Sequence, residues 1–200
     1  MLEHAILGTG AVETDTERIA RGLRSRDETV LHELVDRYQL RLIRYLIYLL
    51  GRRDLVDDLV QETWLRVVLR GKTYDARFPF QTWLFAVARN LAVDQVRRKT
   101  GISLDSNEDE EQSTLSESLA SASPSPFELA AQTQDAAKLA KAISKLEPIY
   151  REVLLLRFQE ALSLKEISVT VGAPVATVGS RIQRGLAILR THWKGGPHEN

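Results

Sequence analysis

Apolar residues recur every three or four positions along much of the first hundred residues, a spacing typical of amphipathic helices. One such stretch runs from Val30 to Leu50, and the preceding "SRDE" has the spacing of a capping box. Two more helices are predicted from Asp54 to Arg70 and from Gln81 to Lys99, on either side of "TYDARFPF". Alternating β-branched runs are too few for a sheet. The pattern predicts an all-α bundle over residues 16–99.

The last third of the chain has the same helical periodicity in shorter pieces. The pattern predicts helices over 134–146, 149–159, 164–170 and 175–193. Pro148 and Pro174 precede two of these, at positions where a helix tolerates proline. A second small helical bundle is therefore predicted over residues 135–194.

Between the two bundles, residues 100–134 are rich in Ser, Glu and Asp and show no sustained helical period. This composition favours a flexible acidic linker. Residues 1–15 and 195–200 are predicted to be tails.

Charge is distributed unevenly along the chain, although the net charge is zero. The chain has 27 basic and 27 acidic residues, so its net charge is zero. Residues 31–99 and 138–200 each carry +5, however, whereas residues 100–137 carry −8. Two basic blocks are compatible with a nucleic-acid partner.

Composition excludes several other classes of protein. The chain has no cysteine, so disulfides and thiolate metal sites are excluded, and its four histidines do not pair at metal-binding spacing. Neither a secretory signal nor an apolar run long enough for a membrane helix is evident. We therefore expect a cytoplasmic protein without a metal or other cofactor.

The stretch "VGAPVATVGSRIQRG" fits the turn and second helix of a helix-turn-helix. Ser168, Gly172 and Val178 supply the small residue, the turn glycine and the apolar anchor, and Ile167, Val171, Ala173 and Val175 are predicted to pack between the helices. The second helix would then direct Thr177, Ser180, Arg181 and Arg184 outward, toward the major groove. A plain helical hairpin with a solvated basic face is the alternative. Gly179 weakens the DNA-binding interpretation, because glycine has no side chain that could contact the duplex.

A second candidate surface lies on "DDLVQETWLRV", residues 57–67. Side chains three and four positions apart share one helix face, which places Asp57, Asp58, Gln61, Glu62 and Leu65 together. Such an acidic face suits a basic protein partner rather than DNA. The alternative is a charged helix face that contacts only solvent. A carboxylate metal site is disfavoured because no histidine joins the cluster.

The stretch at residues 57–67 closely resembles the helix by which bacterial sigma factors bind core RNA polymerase. "FPFQTWLFAVARNLAVDQVRRK" follows at the family's spacing and is similar to the segment that reads and melts the −10 element. "LEPIYREVLLLRFQEALSLKEISVTVGAPVATVGSRIQRGLAILR" is similar to the domain that reads the −35 element. With only these two regions and a linker, the chain resembles an extracytoplasmic-function (group IV) sigma factor.

The resemblance implies partners and site residues. The partners are core RNA polymerase, through the beta-prime clamp helices and the beta subunit, promoter DNA, and an anti-sigma factor as a candidate. Polymerase binding falls on Asp57, Asp58, Leu59, Gln61 and Glu62. The −10 and melting contacts fall on Tyr74, Arg77, Phe78, Arg89, Asn90, Arg97, Arg98 and Lys99. The −35 contacts fall on Thr177, Ser180, Arg181, Gln183 and Arg184.

Within the −10 segment, the residue types suit the capture of unpaired bases. The loop "YDARFPF" would receive a flipped base, since aromatic side chains and arginine stack on any base. Core packing is the alternative for its aromatic residues, and we favour it for Phe80, Trp83 and Leu84. Asn90 is a candidate base reader, whereas Arg89, Arg97, Arg98 and Lys99 are candidate phosphate contacts.

No enzyme is predicted, because neither a nucleotide-binding glycine loop nor a nucleophile-base pair is present. Two rival functions stay open at this point. A helix-turn-helix regulator that does not replace a sigma factor would explain the second bundle only. A helical adaptor without a DNA role, such as an anti-sigma-like binder, would show no salt-dependent affinity for DNA in the holoenzyme.

Overall fold

The computed structural model describes residues 13–51, 53–100 and 134–194. All regular elements in these ranges are helical, which confirms the all-α prediction. Residues 101–133 of the predicted linker, residues 1–12 of the predicted N-terminal tail and all of the predicted C-terminal tail lie outside the described residues. The α-helices are α1 (Asp15–Ser25), α2 (Glu28–Leu50), α3 (Val56–Arg70), α4 (Phe80–Thr100), α5 (Gln134–Ser144), α6 (Pro148–Leu154), α7 (Leu164–Val171) and α8 (Val175–Lys194).

The start of the first bundle differs from the prediction. Helix α1 was not predicted, although Thr14 and Glu17 form a true capping box at its start. The capping box predicted at "SRDE" is wrong, because Ser25 ends α1 and its hydroxyl donates to the carbonyl of Arg21. Asp27 caps α2 instead, accepting a hydrogen bond from the backbone N–H of Thr29 at 2.9 Å.

An aromatic cluster fixes the start of α4 against α1 and α2. Phe80 lies 5.5 Å from Tyr38 and 5.6 Å from Tyr74, measured between ring centroids. All three rings belong to the same buried group of side chains. The core packing expected for Phe80 and Leu84 is observed, and Trp83 packs partly buried against this group.

A buried arginine organises the second bundle. Arg151 of α6 is 7% exposed and donates to the carbonyls of Ser144 and Leu146, each at 2.8 Å, so it holds the turn that joins α5 to α6. The same guanidinium donates to the carbonyl of Tyr48 at 3.2 Å, in the last turn of α2. Arg151 therefore joins the two bundles. Beyond α6, residues Leu155–Gln159 form a π-helical turn.

The two bundles pack against each other, which the sequence did not indicate. Leu46 and Phe85 from the first bundle and Leu156 and Val178 from the second belong to one continuous buried cluster. Helix α4 packs along α7, the first helix of the helix-turn-helix. At this contact the Thr170 hydroxyl lies 3.5 Å from the carbonyl of Thr82.

Candidate protein and nucleic-acid interfaces

The acidic face of α3, which we define as Asp57, Asp58, Gln61, Glu62 and Leu65, points outward. The first three side chains are exposed, Glu62 is half-buried, and Leu65 is 49% exposed. The helix is oriented this way because its opposite stripe packs on α2 and α4. The described contacts therefore leave this face available to a partner.

On α3, the structure removes one residue from the predicted docking surface and adds two others. Leu59 is 6% exposed and belongs to the core, so it supports the acidic face from behind and cannot be part of the exposed surface. Val68 and Leu69 are exposed large apolar side chains that extend the face toward the C-terminal end of α3. Their helical spacing from Leu65 was the signal in the sequence for this extension.

The loop predicted to receive a flipped base is held by internal contacts. The Tyr74 ring is 2% exposed and its hydroxyl donates to the carbonyl of Phe78 at 2.7 Å. Burial raises the pKa of Tyr74 above its usual value. Ala76 has a φ of 62°, and the exposed Arg77 contacts Asp75. In this arrangement the stacking role predicted for Tyr74 is wrong, because its ring is in the core, whereas Arg77 and the half-buried Phe78 line the surface.

The remaining candidate residues of α4 differ in their solvent exposure. Asn90 and Arg98 are exposed, and Arg97 is half-buried. The side chain of Lys99 lies outside the described residues. Asn90 and Arg98 are two turns apart on the helix, so a strand of nucleic acid along α4 could contact both.

Arg89 differs from the other arginines of α4 because an acidic residue of the second bundle holds it. Its Nε donates to the carboxylate of Glu152 at 3.0 Å, and its side chain is only 15% exposed. The Tyr45 hydroxyl donates to the same carboxylate at 2.7 Å. The predicted phosphate contact of Arg89 is therefore not available in this arrangement.

The helix-turn-helix has the geometry that its spacing predicts. Gly172 adopts the left-handed conformation with a φ of 66°, and Val178 is fully buried. The Ser168 hydroxyl donates to the carbonyl of Ala173 at 2.6 Å and closes the turn. The packing role predicted for Val175 is wrong, since this residue is 41% exposed at the start of α8.

The outer side of α8 carries the five predicted −35 residues. Ser180, Gln183 and Arg184 are exposed, and Thr177 is half-buried with its carbonyl accepting from the Ser180 hydroxyl. Arg181 is half-buried, and burial lowers the pKa of its guanidinium. Four polar or charged groups other than Arg181 thus follow one side of the helix.

Gly179 lies among these residues with nothing beside it. A Cβ placed there would have no heavy atom within 4 Å. Close packing therefore does not require a glycine at this position.

Between the two bundles lies a mainly apolar groove of about 760 Å³. The sequence could not reveal it because its walls come from helices that are distant along the chain. Its lining residues are Arg44, Ile47, Tyr48, Arg53, Leu139, Ile143, Leu154, Leu155, Phe158, Gln159, Leu186 and Leu189.

None of the helices within the described ranges combines the length and the apolar character that a membrane-spanning segment needs.

Two sequence families match this chain in the order that the two bundles follow. The Sigma-70 region 2 family matches residues 34–102, and the Sigma-70, region 4 family matches residues 136–189. Among individual relatives, the chain is 29% identical to the ECF RNA polymerase sigma factor SigW of Bacillus subtilis, over 82% of this chain and 89% of that protein. It is 32% identical to the ECF RNA polymerase sigma factor SigE of Mycolicibacterium smegmatis, over 80% of this chain and 60% of that protein.

Solved structures share the fold. The structure of CnrH in complex with the cytosolic domain of CnrY matches 92% of this chain and all of that one, with a TM-score of 0.63 at 22% identity. The sigma factor RpoE in complex with the anti-sigma factor NepR, from Bartonella quintana, matches 83% of this chain and 98% of that one, with a TM-score of 0.60 at 20% identity.

The two family matches together span more than half of the chain, and they include the acidic helix α3 and most of the helix-turn-helix. The chain belongs to the sigma-70 family of transcription initiation factors. Within that family it belongs to the extracytoplasmic-function (ECF) group, as the two family matches and the similarity to ECF sigma factors over about four fifths of the chain show. It is an alternative sigma factor, which directs core RNA polymerase to specific promoters.

Proposed function

We propose that the acidic face of α3 is the docking surface for core polymerase. The side chains of Asp57, Asp58 and Gln61 are exposed and that of Glu62 is half-buried, so a basic partner can contact this face. The apolar side chains of Leu65 and Leu69 continue the face and would supply the area that a stable interface excludes from water. The exposure of this face is the observation that carries the proposal.

The test is a paired substitution with a control that breaks the same internal ion pair. Gln61→Ala with Glu62→Ala should weaken binding to sigma-free core polymerase at least tenfold, which corresponds to about 1.4 kcal/mol. Glu62 is paired with Arg66 at 2.8 Å, so its loss also frees that arginine. Arg66→Ala loses the same pair but leaves the acidic face intact, and core affinity should stay near normal. Equal affinities for the paired variant and wild type would count against this docking face.

The promoter surfaces complete the proposal. Exposed Ser180, Gln183 and Arg184 on α8 would contact the −35 element, where base edges in the major groove can be read by polar side chains. Asn90 and Arg98 on α4 and the loop around Arg77 would contact the −10 element and its unpaired strand. Capture of unpaired bases provides the free energy for opening, so the chain acts stoichiometrically while polymerase carries out the chemistry.

The place of action and the regulation follow from the family. We propose that the chain acts in the cytoplasm, where polymerase and promoter DNA are found. An anti-sigma factor is a further proposed partner, because CnrH and RpoE were each solved in a complex and the partner of RpoE is an anti-sigma factor. We assign no residue of this chain to that contact.

A further inference from the structure

The groove between the bundles presents large apolar side chains to the surface. Phe158, in the π-helical turn, is 63% exposed, and Leu139 of α5 is 39% exposed; both line the groove. Arg44 and Arg53, which are exposed, line it as well. Contiguous apolar surface of this kind marks a binding site. The groove therefore suits an apolar segment that carries a negative charge.

One stripe of α2 connects this groove with the start of the described chain. Side chains three and four positions apart share a helix face, so the stripe consists of Glu33, Arg37, Leu40, Arg44 and Ile47. Arg44 and Ile47 belong to the groove. Leu40 is 64% exposed although it is apolar, and it lies between the groove and Arg37.

Helix α1 occupies the first part of the stripe and runs antiparallel to α2. Arg18 pairs with Glu33 at 2.7 Å, whereas the earlier residue Asp15 accepts from Arg37 at 2.9 Å. Each step toward the beginning of the chain thus moves the contact toward the C-terminal end of α2. Residues 1–12, which we call the N-terminal segment, therefore join the described chain close to Arg37, with Leu40 and the groove next along the stripe.

The length of the N-terminal segment suffices to reach the groove. From Arg37 to Ile47 the stripe spans ten residues of helix, or about 15 Å. Twelve residues in an extended conformation span up to about 40 Å. The segment can therefore cross Leu40 and still enter the groove.

Composition favours the N-terminal segment over the acidic linker as the occupant. Its sequence, "MLEHAILGTGAV", contains seven apolar residues and one acidic residue, Glu3. Residues 101–133 contain seven acidic residues and no basic one. Placing several carboxylates in an apolar groove would cost much of their hydration. The single carboxylate of the N-terminal segment can instead pair with an arginine of the groove.

We propose that the N-terminal segment docks along α2 and fills the groove, with Leu2, Ile6 and Leu7 among its apolar side chains and Glu3 beside Arg44. The attachment to α1 gives the segment an effective concentration on the order of millimolar, so a weak intrinsic affinity is enough. A partner that uses the groove must first displace the segment. This docking does not rest on the proposed polymerase and promoter contacts.

The position of the segment is tested by disulfide formation in the full chain, which has no cysteine of its own. Ile6→Cys with Phe158→Cys should form an intramolecular disulfide under mild oxidation, since bonding needs Cα atoms within about 7 Å. Ile6→Cys with Val169→Cys is the matched control. Val169 is 47% exposed on α7 and does not line the groove, so this pair should remain reduced.

The apolar contact is tested by the rate at which a maleimide alkylates the thiol of Phe158→Cys. Leu2→Ser, Ile6→Ser and Leu7→Ser together should speed this alkylation about fivefold, because a more accessible thiol reacts faster. Thr9→Ser with Gly10→Ser changes the segment but keeps its apolar side chains, and the rate should stay near that of the unchanged segment. These positions precede α1, so circular dichroism should show the same helix content in every variant.

The outcomes distinguish this docking from other occupants of the groove. Equal alkylation rates with and without the three apolar side chains overturn the proposal, as does equal disulfide formation at positions 158 and 169. Protection that increases with protein concentration, or disulfides between two chains, assigns the groove to a second copy and also overturns it. Polymerase is absent from both experiments, so a failure to bind polymerase contradicts the proposed function alone.

Discussion

Two glycines inside helices, Gly179 of α8 and Gly22 of α1, offer a test of how far packing governs the stability of this chain. A glycine in a helix interior costs about 1 kcal/mol relative to alanine, because it loses more backbone freedom on folding. Replacing either with alanine recovers that term. The two sites differ in the space around the new methyl group, and the structure predicts opposite results.

At Gly179 the added Cβ has no heavy atom within 4 Å, so nothing opposes the gain. We expect Gly179→Ala to raise the free energy of unfolding by about 1 kcal/mol, or the melting temperature by roughly 2–4 °C for a chain of this size. At Gly22 the Cβ would lie 2.7 Å from Val30 Cγ2 and 2.9 Å from Val30 Cβ. Val30 is β-branched and buried, so it cannot turn aside. Overpacking of this kind costs up to about 3 kcal/mol, which leaves a net loss of about 2 kcal/mol.

The assay is urea unfolding of the full chain, followed by circular dichroism at 222 nm, with wild type and both variants under one set of conditions. Each variant changes a single glycine to alanine inside a helix, so each serves as the control for the other. A loss of stability in Gly179→Ala, or a gain in Gly22→Ala, would refute the reasoning.

Three further predictions follow from individual contacts. Arg184→Ala should reduce transcription selectively, at promoters whose −35 base it contacts, whereas Arg98→Ala should weaken binding to all sequences and lower the salt dependence by about one counterion; promoter panels at several salt concentrations distinguish the two. Arg151→Met should lower the free energy of unfolding by about 3 kcal/mol, because it leaves three carbonyls without their donor; a smaller loss than 1 kcal/mol in urea unfolding would contradict this. Arginine partners lower the pKa values of Asp15 and Glu33, so these carboxylates stabilise the fold above their unfolded pKa values and this contribution is lost as the pH falls through the folded ones. Asp15→Asn with Glu33→Gln should therefore flatten the decline of melting temperature on acidification, and an unchanged slope would count against the ion-pair network.

Local patterns predicted most of the helices and their ends. The observed helix α8 ends within one residue of the predicted position, because Pro174 and the helical period mark its limits. The acidic face of α3 was predicted from the same periodicity. The sequence pattern did not predict α1, because its capping box precedes a strongly polar segment. Tyr74 and Val175 were misplaced because their burial depends on neighbours that periodicity cannot supply.

The sequence by itself determined the helices, the turn of the helix-turn-helix and the membership of the sigma-70 family, because each depends on residues a few positions apart. Only the tertiary structure decided how the two bundles meet. Glu152 lies 63 positions from Arg89 and Glu160 lies 119 positions from Arg41, with the acidic segment between them. No local pattern encodes such a contact, because its energy depends on burial and on partners that the chain brings together only when it folds.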